Sequence, residues 1–110
     1  MIRGGIYYED IPSEKVVGIQ GSQRPVVVVS PHPWGGAVQV VPLTAQKHYI
    51  NDEHEHHVTV SVGKRLSVAL CEQIRTVSTK YLRKYPMAVC SLDTMQRIDA
   101  QVARVVGLAV

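Results

Sequence analysis

The order of apolar and polar residues predicts a series of short β-strands followed by a helix. Residues 26–29 are four consecutive valines, and such a run predicts a strand that is buried on both faces. Residues 57–62 alternate instead, so that Val58, Val60 and Val62 would face a core. Turn residues separate the remaining strands, which are predicted at residues 3–8, 37–43, 67–71, 74–77 and 87–90. In the first strand Ile6 and Tyr8 would lie on one face and Tyr7 on the other. The sequence also predicts a loop over residues 12–23, a kink near Glu72 and a short helical turn over residues 80–84.

The last part of the chain predicts an amphipathic helix. Ser91 is a suitable N-cap, and Asp93 would lie in the first turn. Apolar residues then recur every three or four positions, at Met95, Ile98, Val102, Val105 and Ala109. Short strands followed by a helix favour a mainly β fold: a small curled antiparallel sheet or barrel with a C-terminal α-helix, in a single domain over residues 1–110.

Composition narrows the class of protein without identifying it. A chain of 110 residues is long enough for one domain with one core. No apolar run approaches the roughly 20 residues of a membrane span, and the N-terminus lacks the apolar region of a signal peptide, so we expect a cytoplasmic protein. The net charge of +3 is compatible with an anionic partner. Cys71 and Cys90 lie in apolar surroundings without CxxC spacing and are predicted to be buried, reduced thiols.

Histidines and carboxylates are concentrated in residues 48–57, which read HYINDEHEHH. Imidazoles and carboxylates at this density are compatible with zinc or nickel binding. On a strand, however, His56 and His57 would point to opposite faces, and no second cluster has the spacing of metal ligands. We therefore predict a solvated polar loop and no metal site.

Polar residues lie at the ends of three predicted strands. Arg24 precedes the valine run, Thr44 follows the third strand, and residues 72–76 read EQIRT. Arginines, hydroxyls and amides in such positions can bind a phosphate or another oxyanion. Arg24 alone has two interpretations, a structural salt bridge at the edge of the core or an anion ligand. The sequence lacks the usual motifs of serine hydrolases and of nucleotide-binding loops.

Several motifs occur together and in a fixed order. The chain contains RPVVVVS at residues 24–30, PLTAQ at residues 42–46 and EQIRT at residues 72–76. In this combination it resembles the MazF/PemK (Kid) family of toxins from type II toxin–antitoxin systems, over nearly its whole length. The resemblance implies an SH3-like barrel of the CcdB/MazF type and a homodimer. It also implies a cognate, acidic, MazE-like antitoxin whose disordered tail folds across the RNA groove.

The resemblance further implies an activity, that of a metal-independent endoribonuclease (mRNA interferase) that cleaves single-stranded RNA without a cofactor. The ribose 2′-hydroxyl would attack the adjacent phosphate and leave 2′,3′-cyclic phosphate and 5′-hydroxyl ends. Arg24 and Thr44 match the family's catalytic arginine and threonine. The positions that would bind RNA are Gln20, Gly21, Ser22, Gln46, Gln73 and Arg75.

Two features depart from the family pattern. Gly5 stands where members usually carry an acidic residue, and the Ser-Glu pair that usually precedes Gln20 and Gly21 has no counterpart. One alternative is therefore a catalytically weakened member that binds RNA or antitoxin. The other is a CcdB-like gyrase poison, which shares the barrel but is not expected to carry Arg24, Thr44 and EQIRT together.

Overall fold

The computed structural model describes residues 1–12, 23–45 and 55–108. In this part of the chain, short strands come first and an α-helix follows, as the sequence predicts. The elements are β1 (Gly5–Asp10), β2 (Gln23–Val28), β3 (Ala37–Thr44), β4 (His57–Val62), β5 (Arg65–Leu70), β6 (Arg75–Ser78), β7 (Ala88–Val89) and α1 (Leu92–Val105).

Within the described residues, the seven strands form one sheet in the order β4-β5-β3-β2-β1-β7, with β6 paired to β3. All of these pairings are antiparallel. β5 and β6 both pair with β3, and the 3₁₀ turn Cys71–Gln73 separates them. The kink that the sequence predicts near Glu72 is therefore confirmed.

The sheet curls back on itself. Leu82, which follows β6 after the 3₁₀ turn Thr79–Tyr81, forms a β-bridge with Glu9 of β1. The backbone N–H of Arg83 then donates to the carbonyl oxygen of Tyr8 at 3.0 Å. These contacts bring the chain after β6 onto β1 and give a half-closed antiparallel barrel. The predicted mainly β fold with a C-terminal helix is confirmed.

β2 is buried on both faces, as its valines predict. Val27 belongs to the helix-side core, whereas Val26 and Val28 belong to the barrel core. Burying a valine side chain contributes about 1.5–3 kcal/mol, so this strand anchors both cores. The helix-side core consists of Ile6, Val27, Val41, Leu43, Val58, Val60, Ala69, Cys71, Met95 and Ile98. The barrel core consists of Tyr7, Val26, Val28, Val38, Val40, Val77 and Leu82.

α1 begins where its capping residue predicts. The hydroxyl of Ser91 accepts a hydrogen bond from the backbone N–H of Thr94 at 3.1 Å and so satisfies one of the free N–H groups of the first turn. Met95 and Ile98 are buried and join the helix-side core. The described part of the chain contains no helix with the length and apolar character needed to cross a membrane.

Most strand bounds differ from the predicted ones by one to three residues, and α1 ends at Val105, earlier than its predicted apolar stripe. Two of the differences have a cause in the strand pairing. β1 extends past Tyr8 through Asp10, because β2 pairs with it as far as Asp10. Residues 80–84 are predicted as a short helical turn, but the 3₁₀ turn ends at Tyr81 because Leu82 bridges to β1. The predicted loop over residues 12–23 and the histidine-rich stretch lie largely outside the described residues.

Candidate active site

Arg24 and Thr44 lie at the same end of two neighbouring strands. In the register of β2 and β3, Val26 faces Pro42. Continuing this register by two residues on each strand brings Arg24 level with Thr44. Strand alternation puts both on the face of Val26 and Pro42, and directly opposed residues have Cβ atoms roughly 4.5–5.5 Å apart. Arg24 is half-buried and Thr44 is buried. On this extended register the two predicted catalytic residues are expected at the same end of β2 and β3, and the catalytic role of each stays a prediction.

A buried carboxylate lies beside Arg24. Glu9 of β1 is the register partner of Arg24 and is 0% exposed. Arg75 of β6 donates from Nη1 to Oε2 of Glu9 at 2.6 Å and from Nη2 to Oε1. Two parallel N–H···O bonds of this kind are the strongest pairing open to a carboxylate, which explains how the charge is tolerated in the core.

Sequence reasoning missed Glu9, although the strand pattern contains a signal. The sequence places Tyr7 on one face of β1 and Ile6 on the other, and the two cores confirm this. If the alternation is continued by two residues, Glu9 follows Tyr7 onto the barrel-core side. An acidic side chain on a buried face requires a cationic partner, and Arg75 supplies it.

The polar end of the half-barrel has the chemistry of an oxyanion site. Arg24 lies opposite Glu9 in the register and Arg75 pairs with the Glu9 carboxylate, so two arginines and one glutamate meet at this end. The hydroxyl of Thr44 adds a neutral donor. Guanidinium groups match the geometry of phosphate oxygens, so this end of the sheet is suited to a phosphodiester.

A narrow cleft opens next to Thr44. Its volume is about 140 Å³, close to that of an engineered protein cavity of about 150 Å³ that holds a benzene ring. The walls are mainly apolar, and the exposed Arg65 lies at one side. A flat ring attached to a phosphate at the polar end would fit a cleft of this size. The lining residues are Pro25, Leu43, Thr44, Ala45, Val62, Arg65, Ser67 and Met87.

Of the six residues predicted to bind RNA, the structure describes two, Gln73 and Arg75. Arg75 joins the polar end through Glu9. Gln73 lies in the 3₁₀ turn between β5 and β6, where its Oε1 is buried without a hydrogen-bond partner among the described residues. The predicted residues Gln20, Gly21, Ser22 and Gln46 lie outside the described residues.

The histidines at the start of β4 have structural contacts. Nε2 of His57 lies 2.9 Å from Oε2 of Glu72, and the His57 side chain is only 5% exposed. Nδ1 of His56 lies 3.4 Å from Oε1 of Gln101 on α1. In residues 1–12, 23–45 and 55–108, no three His, Cys, Asp or Glu side chains are grouped so as to hold a metal ion. His48 and His54 lie outside these ranges.

Both cysteines are free, as predicted. Cys71 is also buried as predicted, but the prediction of a buried Cys90 is wrong: this residue follows the edge strand β7 and is only half-buried. Burial, together with the neighbouring charge of Glu72, raises the pKa of Cys71 to about 12. Burial also raises the pKa of Cys90 above its ordinary value. Because the thiolate is the reactive form, neither cysteine has the character of a catalytic nucleophile.

The fold is shared with toxins of the MazF type. MazF of Deinococcus radiodurans superposes with a TM-score of 0.80 at 19% identity, over 98% of this chain and 97% of that chain. An endoribonuclease in complex with its cognate antitoxin, from a mycobacterial species, gives a TM-score of 0.74 at 19% identity, over 100% and 96% of the two chains. The toxin MazF-mt6 of Mycobacterium tuberculosis gives 0.71 at 15% identity, over 96% and 99%. At such low sequence identity these superpositions show a shared fold and do not by themselves show a shared activity.

Sequence comparison extends the likeness from the fold to the family. The profile of the PemK-like, MazF-like toxins of type II toxin–antitoxin systems matches residues 2–106. A toxin candidate of Mycobacterium tuberculosis is 33% identical over 112 aligned positions, which cover 98% of this chain and 99% of that protein. The chain therefore belongs to the PemK/MazF family of type II toxins, as its motifs predict.

Proposed function

We propose that this toxin is an endoribonuclease that cleaves single-stranded RNA without a metal ion. The observation that carries the proposal is the convergence of Arg24 and Thr44 at one end of β2 and β3, beside the ion pair of Glu9 and Arg75. Family membership and the endoribonuclease activity given for two mycobacterial structural neighbours support it.

The proposed reaction is an internal transfer at phosphorus. The ribose 2′-oxygen forms a bond to the adjacent phosphorus and loses its proton, while the bond from phosphorus to the 5′-oxygen breaks and that oxygen gains a proton. The products are a 2′,3′-cyclic phosphate and a 5′-hydroxyl. DNA lacks the nucleophile and would remain intact.

Arg24 and Thr44 act on the charge that develops at the phosphoryl oxygens. A guanidinium stays protonated at neutral pH, so Arg24 stabilises charge and is not a base. Thr44 donates one further hydrogen bond. A single preorganised donor of this kind contributes about 3–4 kcal/mol to a transition state, which corresponds to about 10²–10³-fold in rate.

The proposed partners follow from the same family. An acidic, MazE-like antitoxin would cover the basic RNA surface, in line with the solved complexes of MazF with MazE and of the mycobacterial endoribonuclease with its antitoxin. We further propose that the toxin is a homodimer and acts in the cytoplasm, where its RNA substrate is found. Exposed apolar side chains such as Met87, Val89 and Leu92 are compatible with a protein–protein contact.

Arg24→Ala tests the site directly. The parent protein should cleave single-stranded RNA in EDTA and leave cyclic-phosphate ends, whereas Arg24→Ala should cleave at least about 10²-fold more slowly. Arg97→Ala is the matched control, since Arg97 is an exposed arginine on α1 and should leave the rate unchanged. An RNA with a single 2′-deoxy sugar at the cleavage position should resist cleavage.

The other outcomes have distinct meanings. Equal rates for the parent and Arg24→Ala would reject this site. Intact RNA with retained binding would favour a catalytically weakened member that binds RNA. Intact RNA together with inhibition of gyrase would favour the CcdB-like alternative.

A further inference from the structure

The buried ion pair of Glu9 and Arg75 has no part in the reaction as written above. Glu9 is fully buried, and the side chain of Arg75 is 22% exposed. Of the ion pairs in the described residues, this one has the most deeply buried carboxylate, whereas Arg3 and Asp99 pair at the surface with side chains 39% and 42% exposed. Its depth calls for an explanation.

Stability alone does not explain the pair. Removing a carboxylate from water is costly, and well-packed apolar residues of similar volume often replace a buried ion pair without loss of stability. The surrounding barrel core is apolar and could accept such residues, since it consists of Tyr7, Leu82 and five valines. The charges therefore need a role that apolar side chains cannot fulfil.

The sheet register points to that role. Glu9 faces Arg24 directly across β1 and β2, and opposed side chains on one face interact. Arg75 reaches the same carboxylate from β6. Two guanidiniums that share one end of a small barrel repel each other, and a carboxylate with fixed geometry offsets that repulsion.

We propose that Glu9 is a positioning residue: clamped by Arg75, it orients the guanidinium of Arg24 toward the phosphate. This inference rests on the proposed function, because it assigns Glu9 a role in the same site. Glu9 touches neither substrate nor reacting atoms and acts through Arg24. Its loss should lower kcat more than it raises KM, since orientation matters most where charge develops in the transition state.

Three variants separate positioning from simple structural support. Glu9→Gln removes the charge and keeps the size. The double variant Glu9→Leu with Arg75→Met replaces the ion pair by apolar side chains, so that no unpaired charge is left in the core to prevent folding. Asp99→Asn is the matched control, because it breaks an arginine–carboxylate pair at the surface.

The expected results combine stability with kinetics. The double variant should keep the parent's urea midpoint, and Glu9→Gln, which leaves Arg75 in place, should lower kcat at least about 10-fold with KM changed less than about threefold. Glu9→Gln should lower kcat in the parent but have no further effect in Arg24→Ala, because a positioning residue acts only through its target. Asp99→Asn should match the parent in both measurements.

The opposite results have separate consequences. If the double variant folds and cleaves RNA at the parent's rate, or if Glu9→Gln slows Arg24→Ala as much as it slows the parent, the positioning role is wrong and the proposed nuclease stands. If the parent itself does not cleave RNA, or cleaves it independently of Arg24, the proposed function fails and this inference fails with it.

Discussion

Gly5 is one of the two features in which the sequence departs from the expected family pattern, and the structure shows why a side chain is disfavoured there. A Cβ atom on Gly5 would lie 2.7 Å from Cε1 of Tyr7 and 2.9 Å from the carbonyl oxygen of Ile2. The Tyr7 ring cannot easily retreat, since it is 2% exposed and its hydroxyl accepts a hydrogen bond from the backbone N–H of Ile2 at 2.9 Å.

We therefore expect Gly5→Ala to destabilise the protein. Overpacking a well-filled core costs about 1–3 kcal/mol. Replacing a strand glycine by alanine returns about 0.5–1 kcal/mol, because glycine loses more backbone entropy on folding. At the midpoints of these two ranges the net loss is about 1 kcal/mol, which lowers Tm by about 4 °C in a domain of this size. Gly5→Asp should cost more, because it also buries a carboxylate.

Urea and thermal unfolding followed by circular dichroism measure this effect, and a double-mutant cycle identifies its cause. Tyr7→Leu removes the Cε1 atom, so Gly5→Ala should cost less in that background, while the contact with the Ile2 carbonyl keeps some of the penalty. If Gly5→Ala is as stable as the parent, or if its cost is the same with and without Tyr7, the argument from this contact is refuted.

Two further predictions concern the cysteines and the helix cap. At pH 8 a thiol reagent should react slowly with Cys71 and Cys90 in the folded protein and rapidly in guanidinium. The raised pKa of each thiol lowers its reactive thiolate fraction at pH 8, and unfolding returns the pKa to its ordinary value and so restores that fraction. Alkylation of folded Cys71 within seconds would contradict its burial. Ser91→Ala should cost about 1 kcal/mol through loss of the hydrogen bond to Thr94, whereas Ser91→Asp, which also caps, should cost little. Equal urea midpoints for Ser91→Ala and the parent would show that the cap does not contribute.

Local sequence signals predict much of the fold. The run of valines in β2 implies burial on both faces whatever strands lie beside it, and Val26, Val27 and Val28 are buried as expected. The cap and the apolar stripe of α1 are likewise local, since they depend on spacing within one helix. The family motifs add the prediction that Arg24 and Thr44 act at one site, which no local pattern contains.

What the sequence misses depends on which strands become neighbours. Glu9 stands beside Asp10 at the predicted end of a strand, where an acidic residue is ordinarily solvated. Its burial follows from the curl that brings Leu82 onto β1, and from Arg75, which lies 66 positions further along the chain. The predicted helical turn over residues 80–84 fails for the same reason, because pairing with β1 overrides the local preference.

The position of the candidate site follows from one property of the register. On the barrel-core face, Tyr7, Val26 and Pro42 form one cross-strand row, because Tyr7 pairs with Val26 and Val26 with Pro42. Two residues further toward the same end, all three strands change from apolar to polar residues. Glu9 pairs with Arg24 there, and extending the register of β2 and β3 by two residues adds Thr44 to the row. Three unremarkable strand ends become one charged surface only when the antiparallel strands align them. A shift of register by one residue would move Arg24 to the helix-side face and separate it from Glu9.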